Sequence, residues 1–472
     1  MYEIVAKRLI CVIARSVFML NSARWRDFVD PILELVEKND IRYLRLIIVD
    51  INGRPRAMLI PKYVVEEALE EGIGFDGSSF PGFTSLDESD LVARPDPETF
   101  VIPPWEHPNT ADMFCYLLRP GGKPFEGDPR TILKSTVDEL VSKSLQFNTG
   151  PELEFFYVSK ESDTLRPLDS GGYFDMPPLD PTETVKRETI MSLESIGFKL
   201  DKVHHEVATG QQEINFRFDD ALKTADRVVL FKLSVKNVAK KHELMATFMP
   251  KPFWGINGSG CHIHQSIQEN SDRSNLFFDE SSSNGLSEKA IHYIGGLMDH
   301  SKGLSMVVAP IVNSYKRLVP HYEAPVYLSW GFGNRSALIR VPNYYPGKET
   351  AVRVEYRHPD PSCNPYLAMV AMLKAGLDGI DKKLDPGEPT SQNVYQLKDK
   401  VDMEVLPGSL EEAIDAFLAD SVVTRALGKH VAQALVDQKR KEFKDYVNST
   451  GSWEQNSKAV TQWEIEKYLE VV

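Results

Sequence analysis

The sequence lacks the features that mark disulfide-stabilised, membrane-spanning and nucleic-acid-binding proteins. Its four cysteines lie far apart without a CxxC pair, so neither a disulfide framework nor a cysteine zinc site is indicated. No apolar run approaches the roughly 20 residues that a membrane-spanning helix needs. A formal net charge of -14, without any run rich in lysine and arginine, argues against a nucleic-acid partner. We therefore expect a cytoplasmic protein that binds neither membranes nor nucleic acid.

The familiar signatures of nucleotide binding are missing as well. No Gly-Lys pair has the upstream glycine and the following Ser or Thr of a Walker A motif. GIGFDG at residues 72–77 matches GxGxxG, but it follows a helix-like segment and no helix clearly follows it. If the protein binds ATP, divalent cations and arginines must hold the phosphates.

What the sequence does contain is the composition of a globular protein, with 42% hydrophobic and 26% charged residues among 472. We expect an extension at residues 1–21, either disordered or the result of a mis-assigned start. A small N-terminal sheet domain at 22–127 and a large catalytic domain at 128–472 follow. Strands that alternate with helices in the second domain indicate an α+β fold.

Local patterns predict most of the elements. Apolar residues at helical intervals predict helices at 22–40, 128–144, 182–198, 220–241, 288–310, 364–380 and from 409 onward. Asn52-Gly53 predicts a hairpin, because this dipeptide suits the positive φ angles of a tight turn. Residues 72–108 are predicted to be loop-rich, since Gly, Pro, Ser and Asp predominate there.

The strand-like segment GPELEFFYV, residues 150–158, carries two glutamates among aromatic and aliphatic residues. Because side chains alternate across a strand, Glu152 and Glu154 share one face, while Leu153 and Phe155 line the other. Two carboxylates buried together are unfavourable unless a cation neutralises them or a proton binds. The segment therefore predicts a positive charge beside both glutamates.

Acidic and imidazole side chains interrupt three further apolar segments. They are Glu206 and Glu213 in HHEVATGQQEI, His262 and His264 in NGSGCHIHQS, and Glu355 in VRVEYRHPD. Each alone is explained equally well by a salt bridge or a sheet edge. As a set, oxygen donors with an occasional imidazole suit Mg²⁺ or Mn²⁺ better than zinc. Zinc at residues 204–206 is the weaker alternative, since no HExxH occurs and acids outnumber nitrogens.

Arginines form a second group in the last third of the chain. They are Arg317, Arg335, Arg340, Arg353 and Arg357. In VRVEYR, the i, i+2, i+4 spacing places Arg353, Glu355 and Arg357 on one face of a strand, with the glutamate between two guanidinium groups. This pattern is typical of phosphate and carboxylate recognition, although a surface ladder of ion pairs shares it. Carboxylates for metal together with arginines favour phosphoryl transfer.

Nine ordered motifs resemble those of the type I glutamine synthetase family, from about Trp25 to the C-terminus. They are FDGSS (75–79), ESD (88–90), GPELEFF (150–156), GGYFDMPPLD (171–180), HHEVATGQQEI (204–214), NGSGCHIHQS (257–266), NSYKRLVPHYEAP (313–325), NRSALIR (334–340) and VRVEYRHPDPSCNPY (352–366). The resemblance implies a β-grasp-like N-terminal domain and a curved antiparallel sheet flanked by helices, as in glutamine synthetases and guanido kinases. It also implies ATP-dependent ligation of ammonium to glutamate through γ-glutamyl phosphate.

The resemblance further implies a role for each matched residue. Two to three Mg²⁺ or Mn²⁺ ions per site are implied, one held by Glu154, Glu206 and Glu213 and another by Glu152, His262 and Glu355. Glutamate is assigned to Asn257, Gly258, Arg317, Arg335 and Arg357, and ATP to Asp201, His264, Ser266, Arg335, Arg340 and Arg353. Arg335 and Arg340 also act on the transferring phosphoryl group. Asp76 and Asp90 attract ammonium, with Asp76 as base, and Glu323 forms a flap that shields the acyl phosphate and helps deprotonate ammonium.

The family resemblance also implies an assembly, a dodecamer of two hexameric rings whose active sites lie between subunits. Ser85 stands where feedback-regulated relatives carry an arginine, so their inhibition mechanism is not carried over. The surroundings of Tyr395 lack the acidic context of the adenylylated subtype. Whether a small regulatory protein binds stays open.

Two alternative functions are compatible with parts of this pattern. A γ-glutamyl ligase for polyamines or other amines shares the metals and the acyl phosphate, but such enzymes tend to alter the ammonium pocket, whose Asp76, Asp90 and Glu323 are retained here. A catalytically silent, nitrogen-sensing relative predicts lost metal ligands, yet all six are present.

Overall fold

The computed structural model describes residues 22–106, 108–161, 164–397 and 402–472. The predicted extension at 1–21, with Cys11, lies outside the described residues. The first helix, α1 (Ser22–Lys38), forms as predicted, with Pro31 inside it. Within the described chain, none of the helices combines the length and apolar character needed to cross a lipid bilayer.

The N-terminal region folds into a five-stranded mixed sheet. Its strands are β1 (Tyr43–Val49), β2 (Pro55–Pro61), β3 (Ile73–Asp76), β4 (Asp90–Pro95) and β5 (Thr110–Leu118), in the order β2-β1-β5-β4-β3. The predicted hairpin is confirmed, since β1 and β2 pair antiparallel and Gly53 has a φ of +78°. The loop-rich prediction for 72–108 is partly wrong, because β3 and β4 lie within it. Both strands are short, so no long apolar run reveals them. In β3 exposed residues alternate with half-buried ones, and in β4, after the exposed Asp90, buried residues alternate with half-buried ones.

A ten-stranded, mostly antiparallel sheet forms the second region around one long strand, β6 (Leu145–Glu161). The other strands are β7 (Thr164–Pro167), β8 (Leu200–His205), β9 (Gln211–Phe216), β10 (Asp219–Asp220), β11 (Met245–Thr247), β12 (Cys261–Glu269), β13 (Trp330–Phe332), β14 (Ile339–Val341) and β15 (Val354–Tyr356). The path across the sheet is β13-β14-β15-β12-β6-β9-β8, with β7, β10 and β11 also paired to β6. These two sheets confirm the predicted fold class, whereas the domain boundary at residue 127 stays a prediction.

Besides α1, the described chain contains helices that pack on both sheets, and every predicted helix is present, with the one predicted at 288–310 divided into two. They are α2 (Val65–Glu70), α3 (Pro129–Val141), α4 (Glu183–Ser195), α5 (Ala221–Lys241), α6 (Glu288–Asp299), α7 (Ser301–Val308), α8 (Ser314–Arg317), α9 (Pro365–Lys382), α10 (Val394–Leu397), α11 (Leu410–Ala419), α12 (Ser421–Thr450), α13 (Trp453–Asn456) and α14 (Gln462–Tyr468). Asp128 caps α3 by accepting hydrogen bonds from two backbone N–H groups, and Pro129 occupies its first position.

One face of β6 packs into the hydrophobic core, so only the opposite face is available for the site. Phe155 lies on the apolar face, with its ring centroid 5.2 to 6.3 Å from the rings of Tyr157, Phe231 and Phe248. All four side chains are fully buried, and Phe231 belongs to α5. Since alternate residues of β6 are committed to this packing, Glu152 and Glu154 must point to the opposite face.

Candidate active site

Strand register brings the predicted polar residues into rows on the open face of the sheet. Glu152 pairs with His262 of β12, and Glu154 pairs with Glu213 of β9. Two residues further along β12, His264 lies opposite Glu355 of β15. Because side chains at even spacing share a face, residues more than 200 positions apart in the chain meet over β6.

The rows continue outward on both sides. Beyond Glu213 lies His204 of β8, and beyond Glu355 lies Arg340 of β14. The acidic half is the group of three glutamates and one histidine formed by Glu154, Glu206, Glu213 and His204. The arginine half is the group of two glutamates, two histidines and three arginines formed by Glu152, Glu355, His262, His264, Arg340, Arg353 and Arg357.

The acidic half gathers three carboxylates with one imidazole. His204 Nδ1 lies 3.3 Å from Glu206 Oε1, and its Nε2 lies 3.4 Å from Glu213 Oε2. Burial, together with the carboxylates of Glu154 and Glu213, raises the pKa of Glu206 to about 10. Burial also raises the pKa of Glu154, and Glu213 adds to this effect. Without a cation, these acids cannot all be ionised.

The acidic half fits a divalent metal ion. His204, Glu206 and Glu213 each offer a ligand atom, and these three atoms lie within 4.8 Å of one another. Among the described residues, the buried Oε1 of Glu213 has no hydrogen-bond partner. An orphaned carboxylate oxygen in an oxygen-rich donor set is what a hard cation such as Mg²⁺ or Mn²⁺ would satisfy.

In the arginine half, guanidinium groups already balance the carboxylate charge. Glu355 is fully buried and accepts hydrogen bonds from Arg340 Nη1 at 2.6 Å and Arg357 Nη1 at 2.8 Å. Burial alone would raise the pKa of Glu355, but Arg357 and the neighbouring imidazoles lower it to about 2. The prediction that Arg353 and Arg357 flank Glu355 is therefore half wrong. The neighbouring strand supplies Arg340 instead, and Arg353 Nε donates to His264 Nδ1 at 3.1 Å.

The two histidines of β12 both lie beside Glu152 but differ in their other neighbours. With Arg353 donating to its Nδ1, His264 presents Nε2–H to Glu152 Oε1 at 3.0 Å. His262 lies between the halves, its nitrogens 3.6 Å from Glu152 and 3.9 Å from Glu154. A compact ligand group of Glu152, Glu355 and His264 has its atoms within 4.8 Å of one another. Which histidine completes the second metal site therefore stays a prediction.

The residues assigned to glutamate converge next to Glu154. Gln211 Nε2 donates to Glu154 Oε2 at 3.0 Å and to Gly258 O at 3.1 Å, which ties the NGSG loop to the acidic half. Asn257 Nδ2 donates to Glu323 Oε2 at 2.9 Å. A Cβ at Gly258 would lie 2.3 Å from Pro250 O, so this position requires glycine. Arg317 is buried beneath the loop and donates to two backbone carbonyl groups of the Arg357-His358 segment.

Three of the residues assigned to ATP, His264, Arg340 and Arg353, belong to the arginine half. Ser266 follows His264 by two positions on the same face of β12, opposite Asn148. Asp201 of β8 is exposed and contributes to the electrostatic environment of Arg353. Arg335 is exposed and, among the described residues, has no hydrogen-bond or ion-pair partner.

The two predicted ammonium residues lie together, away from both halves. Asp76 ends β3 directly opposite Asp90, which begins β4, and both side chains are exposed. Hydrogen bonds from Ser78 lower the pKa of Asp76, so it is ionised at neutral pH. Within the described chain, the Asp76 carboxylate is bonded to Ser78 and Ser79 and contacts neither half.

Sequence reasoning missed three residues at the site. His204 was considered only for zinc, yet it bridges Glu206 and Glu213. Phe174 packs edge-on against His204, with ring centroids 4.7 Å apart, and Tyr173 stacks on Phe174 at 4.2 Å. Both aromatic rings are largely exposed, and two adjacent aromatics in the GGYFDMPPLD motif were the available signal.

Comparison with known proteins gives the same family for both sheets. The glutamine synthetase β-grasp domain matches residues 40–120, and the glutamine synthetase catalytic domain matches residues 126–468. The glutamine synthetase of Methanocaldococcus jannaschii is 44% identical over 459 residues, which cover 93% of this chain and 98% of the relative. That of Pyrococcus furiosus is 47% identical over 437 residues, covering 91% and 97%.

Solved structures agree. A GmaS/ADP complex superposes with a TM-score of 0.82 at 34% identity, covering 92% of this chain and 98% of the other. GmaS without ligand gives the same TM-score at 35% identity, with the same coverage. From both domain matches and from relatives that span nearly its whole length, the chain belongs to the glutamine synthetase family.

Proposed function

We propose that ATP-dependent formation of glutamine in this chain divides its work between the two halves of the site. The observation that carries the proposal is the register of β6, β9, β12 and β15. It sets three acids beside a second group, in which Glu355 is paired with two arginines and Glu152 with two histidines. The first group calls for a cation, and the second is suited to the phosphates of ATP.

Glu154, Glu206 and Glu213 would hold one divalent ion, with His204 beside them, and Glu152, His262 and Glu355 would hold the other. When bound, such ions neutralise charge on transferring phosphates and polarise their oxygens. The orphaned oxygen of Glu213 supports the first site. The choice between Mg²⁺ and Mn²⁺, and the presence of two or three ions, are parts of the proposal.

Phosphoryl transfer would take place at the arginine half. Arg340 and Arg357 already donate to Glu355, and Arg353 is held by His264, so their guanidinium groups are oriented before ATP arrives. Arg335, which is exposed, would bind the phosphates together with Asp201, His264 and Ser266. That a relative at 34% identity was solved with ADP supports a nucleotide on this fold.

Glutamate would bind between Asn257, Gly258, Arg317 and Arg357, close to Glu154, with Arg335 reaching its γ-carboxylate. Its γ-carboxylate oxygen attacks the terminal phosphorus of ATP and gives γ-glutamyl phosphate and ADP. Ammonia then attacks the γ-carboxyl carbon, a C–N bond forms, the C–O bond to phosphate breaks, and the departing phosphate carries away the extra proton. Glu323 takes up a proton from ammonium and shields the acyl phosphate from water.

Asp76 and Asp90 support an oligomeric enzyme. Their exposed carboxylates attract ammonium, with Asp76 as base, but they contact neither half of the site within the described chain. We therefore propose that they complete the site of a neighbouring subunit in a homo-oligomer, a dodecamer of two hexameric rings. Tyr173 and Phe174, exposed beside His204, are the surface that such a neighbour would cover. Free, buried cysteines at Cys115, Cys261 and Cys363 suit a reducing cytoplasm.

The decisive experiment measures phosphate release and product identity with glutamate and ATP while the amine is varied. We expect ammonium to support turnover at least about tenfold better than methylamine or putrescine at equal concentration of free base. A preference for either amine over ammonium would replace the substrate assignment by the γ-glutamyl amide alternative. Phosphate release without any amide product would contradict the ligase assignment altogether.

A further inference from the structure

Lys251 is a fully buried cation beneath the loop that carries Glu323. Its Nζ donates a hydrogen bond to Ile256 O and lies 4.0 Å from the centroid of the Tyr322 ring. The Trp254 ring lies 5.7 Å away. In the part of the chain that the structure describes, no carboxylate pairs with this lysine, so its charge is balanced by a carbonyl oxygen and aromatic faces.

Two of the residues that Lys251 contacts, Ile256 and Tyr322, are each next in sequence to one member of a hydrogen-bonded pair. Ile256 precedes Asn257, Tyr322 precedes Glu323, and Asn257 Nδ2 donates to Glu323 Oε2 at 2.9 Å. His321 and Glu323 have φ angles of +73° and +58°. Residues other than glycine rarely adopt this left-handed backbone conformation, so surrounding contacts must hold the loop in place.

The backbone of Lys251 is itself anchored in the core. Its N–H donates to Asn313 Oδ1 at 2.7 Å, and its carbonyl accepts from Asn313 Nδ2 at 2.9 Å. The same amide group of Asn313 donates to the buried Glu464 of α14 at 2.7 Å. Burial and the nearby Arg317 lower the pKa of Lys251 to about 8, so the amine still carries its charge at neutral pH. A cation–π contact is strongest when it is desolvated in this way.

We infer that Lys251 is a positioning residue that holds the Glu323 loop closed over the γ-glutamyl phosphate, so that ammonia and not water receives the acyl group. The inference rests on the proposed function of Glu323. If the loop opens, water attacks the γ-carboxyl carbon, the C–O bond to phosphate breaks, and glutamate and phosphate are released without glutamine. Loss of Lys251 should therefore uncouple ATP use from glutamine formation without abolishing phosphoryl transfer.

The test compares Lys251→Met with Lys251→Arg, Tyr322→Leu and the exposed control Lys240→Met in the assembled enzyme. The measured quantity is the ratio of phosphate released to glutamine formed at saturating ammonium. We expect Lys251→Met and Tyr322→Leu to raise the uncoupled phosphate release about tenfold, with the KM for ATP changed less than about twofold. Lys251→Arg should restore part of the coupling, because it keeps a donor and a cation. The double variant should be no worse than Lys251→Met, since the two residues act as a unit.

A second measurement follows the loop without turnover. Hydrogen–deuterium exchange of peptides covering residues 319–326 should be about tenfold faster in Lys251→Met and Tyr322→Leu, and unchanged in Lys240→Met. If Lys251→Met does not fold, Tyr322→Leu, which removes a half-buried ring and no charge, decides the outcome. Coupled turnover with unchanged exchange in the folded variants would overturn this inference alone. A wild-type enzyme that forms no glutamine would instead contradict the proposed function, and the inference with it.

Discussion

The acidic half and the arginine half bury the same kind of carboxylate but balance its charge in different ways. The side chain of Glu206 is 13% exposed and Glu355 is fully buried, yet the pKa is raised for Glu206 and lowered for Glu355. Burial alone would predict the reverse order. Burial acts to raise the pKa of both groups; for Glu206 the carboxylates of Glu154 and Glu213 add to this effect, whereas for Glu355 the guanidinium group of Arg357 and the imidazoles of His264 and His262 reverse it.

This difference separates a group of acids that requires a cation from a group in which Glu355 is already paired with arginines. Three acids without a counter-charge favour an ion that arrives from solution, and metal binding then displaces protons. Glu355, held between Arg340 and Arg357, is already oriented and charge-balanced, so this group does not require a metal ion to be stable. The following predictions test this contrast, beginning with the largest effect.

Removing a carboxylate from the acidic half should abolish metal-supported turnover. We expect Glu213→Ala to lower the kcat for glutamine formation by more than about 100-fold, because the substitution removes a ligand that no neighbour can replace. The matched control is Glu269→Gln, at the far end of β12, with less than a twofold effect. Near-normal turnover of Glu213→Ala would mean that this carboxylate holds no catalytic ion.

Neutralising one acid in each half should change the stability of the metal-free protein in opposite directions. Glu355→Gln should lower the free energy of unfolding by about 3 kcal/mol, since it leaves Arg340 and Arg357 buried without their partner. Glu213→Gln should leave it unchanged or raise it by up to about 1 kcal/mol, because like charges are separated. Urea unfolding in EDTA at one fixed protein concentration measures both. Destabilisation of equal size would remove the contrast between the halves.

The acidic half should make the metal-free protein less stable as the pH rises. The folded pKa of Glu206, about 10, lies above its ordinary value of 4.5, so the folded state retains a proton that the unfolded state has lost. Its stabilising contribution is complete below about pH 4.5 and is lost as the pH rises toward 10, by up to about 1.4 kcal/mol per unit.

Unfolding of wild type and Glu206→Gln across pH 6 to 9, with and without Mn²⁺, isolates this contribution. We expect the pH dependence of the wild type to become as flat as that of Glu206→Gln when Mn²⁺ is bound, because the metal-bound carboxylate stays ionised in the folded state. Parallel stability curves in EDTA would show that Glu206 titrates normally.

The smallest expected effect concerns His204, which only the structure brings into the acidic half. His204→Gln should weaken Mn²⁺ binding about tenfold and leave nucleotide binding unchanged, because the imidazole contacts Glu206 and Glu213 and not the arginine half. Calorimetric titration measures both affinities, with His242→Gln at the end of α5 as the control. An unchanged Mn²⁺ affinity would show that His204 does not contribute to metal binding and only packs against Phe174.

Much of the fold follows from short-range patterns in the sequence. Period-two alternation placed Glu152 and Glu154 on one face of a strand, and the cap at Asp128 marked the start of α3. The same approach missed β3 and β4, because two short strands with half-exposed residues give no distinct hydrophobic signal. The family motifs supplied the site residues, whereas their individual roles remain proposals.

Pairing between distant strands was the part that local patterns could not supply. Arg340, not Arg353, contacts Glu355, because β14 lies directly beside β15 in the sheet. The link from Lys251 to Tyr322 joins residues 71 positions apart, through a cation–π contact that leaves no periodic trace.

The sequence by itself determined which side chains are available and to which face of its own strand each one points, because both properties depend on residue identity and backbone period. Tertiary structure alone decided which carboxylates face a guanidinium group and which face one another. That choice is made by strand register and loop closure, and the resulting charge environment leaves Glu154, Glu206 and Glu213 in need of a cation while Glu355 is already paired with two arginines.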